Sequence, residues 1–230
     1  MKKLLIVSAT LLEVRPFLEH LAGHSIDLLP SSFQLKNCRV DLLIPGIGMM
    51  QTAFHLGKRF STEKYDCAIN AGICGSFSES LPIGSVIHIN EDCLSEMGAE
   101  DHDSFLLMSE LGFSDTDASP FQSGRFRNSL PIYSGFIDAL QTANGITVNT
   151  IHGNKESIAR VTHRFNPLTE SMEGAAFLYA CLMNKIPNAQ IRAVSNFVEE
   201  RDRSRWNIHL AIQNLNQAIL QIVKELDENG

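Results

Sequence analysis

The segment Glu170-Ser171-Met172-Glu173-Gly174-Ala175-Ala176-Phe177-Leu178-Tyr179-Ala180-Cys181 carries an acidic pair into a very apolar run. From Met172 to Leu182 small and apolar residues fall on every side of a helical wheel, which predicts a helix buried all round. Glu173 falls at the start of this helix, where the partial positive charge of the helix terminus favours an ionised carboxylate. A first-turn acid is the commonest reason for a Glu here, and other segments decide whether Glu173 does more.

Moving outward, short apolar runs alternate with amphipathic stretches along the whole chain. Lys3–Ser8, Arg39–Ile44, Tyr65–Asn70, Ile83–Ile89, Gly145–Ile151 and Gln190–Val194 read as strands. Leu11–Leu21, Met49–Phe60, Asn154–Phe165 and Asn207–Leu226 read as helices, the last with a stripe at Ile208, Ala211, Ile212, Leu215, Ala218, Ile219 and Ile222. There is no repeat, low-complexity linker or composition break, so residues 1–230 are expected to form one α/β domain.

Composition narrows the class. The 230 residues are 44% hydrophobic, enough for a substantial core. With 19 basic and 26 acidic residues the net charge is −7, and no basic tract exists, which argues against a nucleic-acid surface. The short apolar start at Leu4 is soon followed by Glu13 and Arg15, unlike a secretory signal, and no run approaches the roughly 18 apolar residues of a membrane span. Cys38, Cys67, Cys74, Cys93 and Cys181 are scattered without metal-binding spacing and read as reduced core thiols, so a cytoplasmic protein without a metal is expected. Asp101-His102-Asp103 reads as a solvated loop, since consecutive residues rarely converge on one ion.

Four places lie at strand ends or helix starts, where open α/β sheets bind ligands. They are Glu13 in Ala9-Thr10-Leu11-Leu12-Glu13-Val14, the Gly-x-x-Gly loop expected in Ala71-Gly72-Ile73-Cys74-Gly75, Met172-Glu173, and Ser195-Asn196. Pro45-Gly46-Ile47-Gly48 adds a glycine turn in which backbone N–H groups can approach a ligand, although the dinucleotide fingerprint is missing.

Together these segments resemble the nucleoside phosphorylase and nucleosidase superfamily. The first is similar to the "A-M-E-x-E-V" of methylthioadenosine/adenosylhomocysteine nucleosidases, and Asn70–Gly75 to their "N-T-G-x-A-G". Ser171–Ala175 is similar to their "E-M-E-A-A", and Arg192–Asn196 to "R-x-I-S-D". The resemblance spans nearly the whole chain. It implies a three-layer α/β/α sandwich with a twisted mixed central sheet, a nucleoside substrate, no cofactor and a homodimer. It also implies roles: Glu13 as base or positioner of the attacking water, Met172 and Glu173 on the ribose, Gly72 and Gly75 letting the main chain approach ribose and base, and Asn196 at the leaving base.

The departures refine the expectation. Asn196 stands where the nucleosidases carry Asp; an amide donates and accepts hydrogen bonds but delivers no acid proton, which favours a 6-oxopurine such as hypoxanthine. No Arg precedes Gly72 to clamp phosphate, so water is the expected nucleophile. Ser195-Asn196-Phe197-Val198-Glu199-Glu200-Arg201-Asp202-Arg203-Ser204-Arg205-Trp206 resembles the "S-N-x-V-E-x-R-D-R-x-x-W" of the futalosine hydrolases of menaquinone biosynthesis. Their substrate joins a 6-oxopurine nucleoside to a benzoate, and Arg201, Arg203 or Arg205 would pair with that carboxylate. The alternative is a solvated loop in which Asp202 or Ser204 caps the last helix. The rival activities are methylthioadenosine/adenosylhomocysteine nucleosidase and purine nucleoside phosphorylase, and, from another class, a non-catalytic nucleoside-binding relative. Thr150–Gly153 or Phe77 is expected beside the base, and part of residues 91–130 at the 5′ end of the pocket, from the same or a neighbouring subunit.

Overall fold

The computed structural model describes residues 1–23, 32–102, 104–113 and 115–229. Strand β1 (Lys2–Val7) leads to α1 (Leu11–Ala22), then β2 (Ser32–Gln34), β3 (Cys38–Leu43), α2 (Met49–Thr62) and β4 (Cys67–Ser76). The middle of the chain holds β5 (Val86–Asp92), the hairpin β6 (Gly98–Asp101) and β7 (Ser104–Leu107), and β8 (Phe126–Arg127). It closes with α3 (Gly135–Ala139), β9 (Gln141–Thr147), α4 (Lys155–Phe165), β10 (Thr169–Ser171), α5 (Gly174–Met183), β11 (Asn188–Phe197), a 3-10 turn (Arg203–Arg205) and α6 (Ile208–Glu228).

The main sheet runs β10-β9-β5-β11-β4-β1-β3-β2. It is mixed: β1, β3, β4 and β11 are parallel, while β5 runs antiparallel to β11. Period-two alternation in β1 shows why helices cover both faces. Leu4 and Ile6 enter the core formed with α1 and α6, whereas Leu5 and Val7 enter the core formed with α2 and α5. Each fully buried Leu or Ile contributes roughly 1.5–3 kcal/mol. The three-layer expectation therefore holds, with an addition: β10 pairs with β9 and also antiparallel with β4, so five strands close into a ring.

Several local readings change. The Gly72–Gly75 segment is strand rather than loop, because Gly72, Ile73, Cys74 and Gly75 pair in turn with Arg192, Ala193, Val194 and Asn196 of β11. The register shifts between Val194 and Asn196, leaving Ser195 as a bulge. The strand expected at Ile83–Ile89 begins at Val86, after a turn closed by the Ser85 N–H on the Pro82 carbonyl. The strand expected at Gly145–Ile151 is β9, which stops at Thr147. Helix α5 is nearly encased, but Tyr179 and Met183, one turn apart, are exposed. Asn207, not Asp202 or Ser204, caps α6 by accepting from the Leu210 N–H; Asp202 caps the 3-10 turn. His102 and Asp101 are exposed at the β6–β7 turn, and Asp103 lies outside the described residues.

All five cysteines are free and buried, and burial pushes the Cys67, Cys74 and Cys93 thiols up to about 12, so they are unreactive. Among the described residues no helix is long and apolar enough to cross a membrane, and no cluster of His, Cys, Asp or Glu is placed to hold a metal ion.

Candidate active site

A cavity of about 300 Å³ opens where the ends of β1, β4, β10 and β11 meet the starts of α1, α5 and α6. Glu13, Gly75, Met172, Glu173 and Asn196 line it, together with Ile47, His152, Glu170 and Trp206. Five residues separated by up to 183 positions in sequence thus line one cavity, because the ends of the parallel strands β1, β4 and β11 share one edge and β10 folds onto it antiparallel to β4.

Glu13 is buried on the first turn of α1. Its Oε2 accepts from the Thr10 N–H at 3.0 Å and the Thr10 hydroxyl at 2.9 Å, and its Oε1 accepts from the Ile73 N–H at 3.0 Å. A carboxylate has about four acceptor positions, so Oε1 keeps one free toward the cavity. The position of Glu13 is fixed from behind by a device the sequence reading missed. Pro16 has no N–H for the Leu12 carbonyl, and at the next step of the α1 ladder the Asn216 side chain of α6 bonds the main chain. Asn216 Oδ1 accepts from the Phe17 N–H at 2.8 Å and its Nδ2 donates to the Glu13 carbonyl at 2.8 Å. A polar residue at a buried stripe position of the last helix was the signal available in sequence.

Glu173 is the N-cap of α5 rather than a first-turn residue, and its side chain turns away from the helix. Oε1 accepts from the Gly48 N–H at 3.0 Å, and the Arg192 guanidinium lies 3.5 Å from Oε2. Gly48 adopts φ +101, which requires glycine, so the Gly46–Gly48 turn spends its N–H on Glu173 instead of a ligand. Arg192 is only 1% exposed and also bonds Gln190 and Asn70. Gln190 in turn donates to Asp92, whose carboxyl is pushed up to about 6 by burial against the opposing hydrogen bonds of Gln190 and Thr147.

Gly72 does not line the cavity. A Cβ there would sit 2.3 Å from Arg192 Nη1 and 3.0 Å from Glu13 Oε1, so glycine makes room for the guanidinium beneath the site. Gly75 lines the cavity directly, with Asn196 and Val198 packed at its α-carbon. Asn196 has a fixed amide orientation: Nδ2 donates to the Phe197 carbonyl, which can only accept, and Oδ1 receives the Ser195 hydroxyl at 2.8 Å. The second Nδ2 hydrogen has no partner among the described residues.

The arginine loop is held at the rim. The Arg201 guanidinium stacks over Trp206 at 5.1 Å, and the Arg201 backbone N–H donates to the Gly153 carbonyl. Arg203 is exposed in the 3-10 turn, and Arg205 pairs with Glu199. Next to Gly153, Glu170 accepts from both the His152 N–H and His152 Nδ1, and Phe77 meets the imidazole edge-on. None of the described residues from 91 to 130 lines the cavity; Glu96 instead braces that wall by accepting from the Asn149 and Thr150 N–H groups. The sequence reading named the Thr150–Gly153 stretch but not the His152–Glu170 pair.

The family model described as "Phosphorylase superfamily" matches residues 3–226. Futalosine hydrolase of Streptomyces coelicolor is 29% identical over 195 residues, covering 81% of this chain and 80% of that one. Futalosine hydrolase of Thermus thermophilus is 27% identical over 227 residues, covering 96% and 95%. The crystal structure of a 5′-methylthioadenosine/S-adenosylhomocysteine nucleosidase from Colwellia psychrerythraea, in complex with adenine, aligns with a TM-score of 0.77 at 21% identity, covering 98% of this chain and 96% of that one. The shared fold and the match along almost the entire length place this chain in the phosphorylase superfamily.

Proposed function

We propose that this protein hydrolyses the N-glycosidic bond of futalosine, releasing hypoxanthine and dehypoxanthine futalosine in menaquinone biosynthesis. The observation that carries the reading is the pairing of a preorganised Glu13 carboxylate with the oriented Asn196 amide in one cavity whose described lining contains no Arg or Lys. Phosphorolysis needs a cation to hold phosphate. The nearest buried guanidinium, Arg192, is committed to Glu173, Gln190 and Asn70.

In this reading Glu13 Oε1 orients and deprotonates a water attacking the anomeric carbon as the glycosidic bond lengthens. Glu173 and Met172 hold the ribose, with the free acceptor positions of Glu173 taking its hydroxyls. The spare N–H of Asn196 stabilises negative charge growing on the departing base. Arg201 pairs with the benzoate at the rim. No metal or organic cofactor takes part. The protein works in the cytoplasm as a homodimer, a second copy covering the exposed Leu12, Ile47, Met50 and Phe54 around the cavity mouth.

The similarity to two futalosine hydrolases supports this substrate over methylthioadenosine. Chromatography of reactions with futalosine, inosine and methylthioadenosine, each with and without phosphate, tests it. Phosphate-independent release of hypoxanthine from futalosine is expected; adenine release from methylthioadenosine alone, or a strict phosphate requirement, would overturn it.

A further inference from the structure

The seam that closes the strand ring places a second recognition group opposite Asn196. In β4, Gly75 pairs on one side with Asn196 of β11 and on the other with Glu170 of β10. Residues paired in register across neighbouring strands share a face, and two strand spacings separate the outer pair by about 10 Å. Gly75 has no side chain, so the space between them is a slot floored by backbone and flanked by Asn196 and by the His152–Glu170 pair. All four residues line the cavity.

Both oxygens of Glu170 face His152, one taking its backbone N–H at 2.9 Å and the other taking Nδ1. A carboxylate only accepts, so in the neutral imidazole it fixes the proton on Nδ1 and leaves Nε2 with its lone pair. Nε2 has no partner among the described residues. We propose that His152, held by Glu170, determines specificity for the leaving base: its Nε2 accepts the N1–H that a 6-oxopurine carries and a 6-aminopurine lacks. This rests on the purine nucleoside reading above, in which Asn196 takes the five-membered-ring side of the base. A 6-aminopurine would oppose its N1 lone pair to that of Nε2. An unmatched polar group in a closed site is costly, which makes the discrimination large.

The test uses a substitution that reverses the ring's polarity. In Glu170→Gln the backbone N–H of His152 requires the amide oxygen, so the amide NH₂ must face Nδ1. Nδ1 then becomes the acceptor and the proton moves to Nε2, which donates to N1 of a 6-aminopurine. Binding of the free bases hypoxanthine and adenine is measured by calorimetry, independently of turnover, in wild type, Glu170→Gln and His152→Ala. Wild type is expected to prefer hypoxanthine by on the order of a hundredfold. Glu170→Gln should shift the ratio toward adenine by tenfold or more, about one hydrogen bond's worth, and His152→Ala should bring it near unity. Folded variants with the wild-type ratio would overturn the proposal. Intact base discrimination in a protein that cleaves no nucleoside would instead remove the hydrolase reading and leave His152 as the reader of the base.

Discussion

The Asn216 side chain of α6 donates to the main-chain carbonyl of Glu13 at 2.8 Å and accepts from the Phe17 N–H, bracing the ladder of α1 one step beyond the N–H that Pro16 lacks. The first turn of α1, which holds the carboxylate facing the cavity, is thereby tied to the helix on the same side of the sheet. Asn216→Ala would leave one buried donor and one buried acceptor unpaired. Stability should fall by about 2–4 kcal/mol in urea unfolding. In the fraction that folds, turnover should fall more than affinity, because Glu13 shifts while the ribose and base contacts remain.

Glu13→Gln should lower turnover by at least on the order of 10²-fold with substrate binding largely kept. Four donor groups face this carboxylate: the Ser8 hydroxyl, the Thr10 N–H, the Thr10 hydroxyl and the Ile73 N–H. An amide oxygen can serve only one side, so the capping contact at Thr10 weakens and stability drops by about 1 kcal/mol. Single-turnover base release beside calorimetric binding separates the two effects. Near-normal turnover would remove Glu13 from the mechanism.

The buried Asp92 makes stability depend on pH. Its carboxyl, pushed up to about 6 from 3.8, holds its proton more tightly folded than unfolded. The protonated form is therefore the stabilised one: the full contribution is present below about pH 4 and is lost as pH rises through about 6. The native state should lose roughly 2–3 kcal/mol across that window from this group. Asp92→Asn, with nothing to ionise, should flatten the slope between pH 4 and 6.5 in urea unfolding. An unchanged slope would show that Asp92 is not its source.

Arg201 and Arg203 should separate in their effects. Arg201 stacks on Trp206, which lines the cavity, whereas Arg203 is exposed and is not among the residues that line it. Arg201→Ala should raise KM for the carboxylate-bearing nucleoside about tenfold or more and leave inosine nearly unaffected. Arg203→Ala should change neither by more than about twofold. Equal effects of the two substitutions would place the substrate carboxylate elsewhere.

The order of the longer strands and helices and four of the cavity's segments were legible in the chain, because runs of apolar residues and period-3.6 patterns are local, whereas the short strands β2, β6, β7, β8 and β10 and helix α3 were not. Glu13, Glu173 and Asn196 could be picked out as residues at strand ends. Other features were decided only by packing. Gly72 looked like a ligand-facing glycine and is instead the space for Arg192, a contact across 120 residues. The segment around it looked like a loop because glycines disfavour strands in isolation, yet pairing with β11 overrides that preference. The His152–Glu170 pair had no local signature, and the Asn216 bridge showed only as a polar residue on the apolar stripe of the last helix. Each depends on where the ring closes at β10 and where α6 crosses α1, and contacts between distant segments are fixed by the whole core rather than by any stretch of sequence.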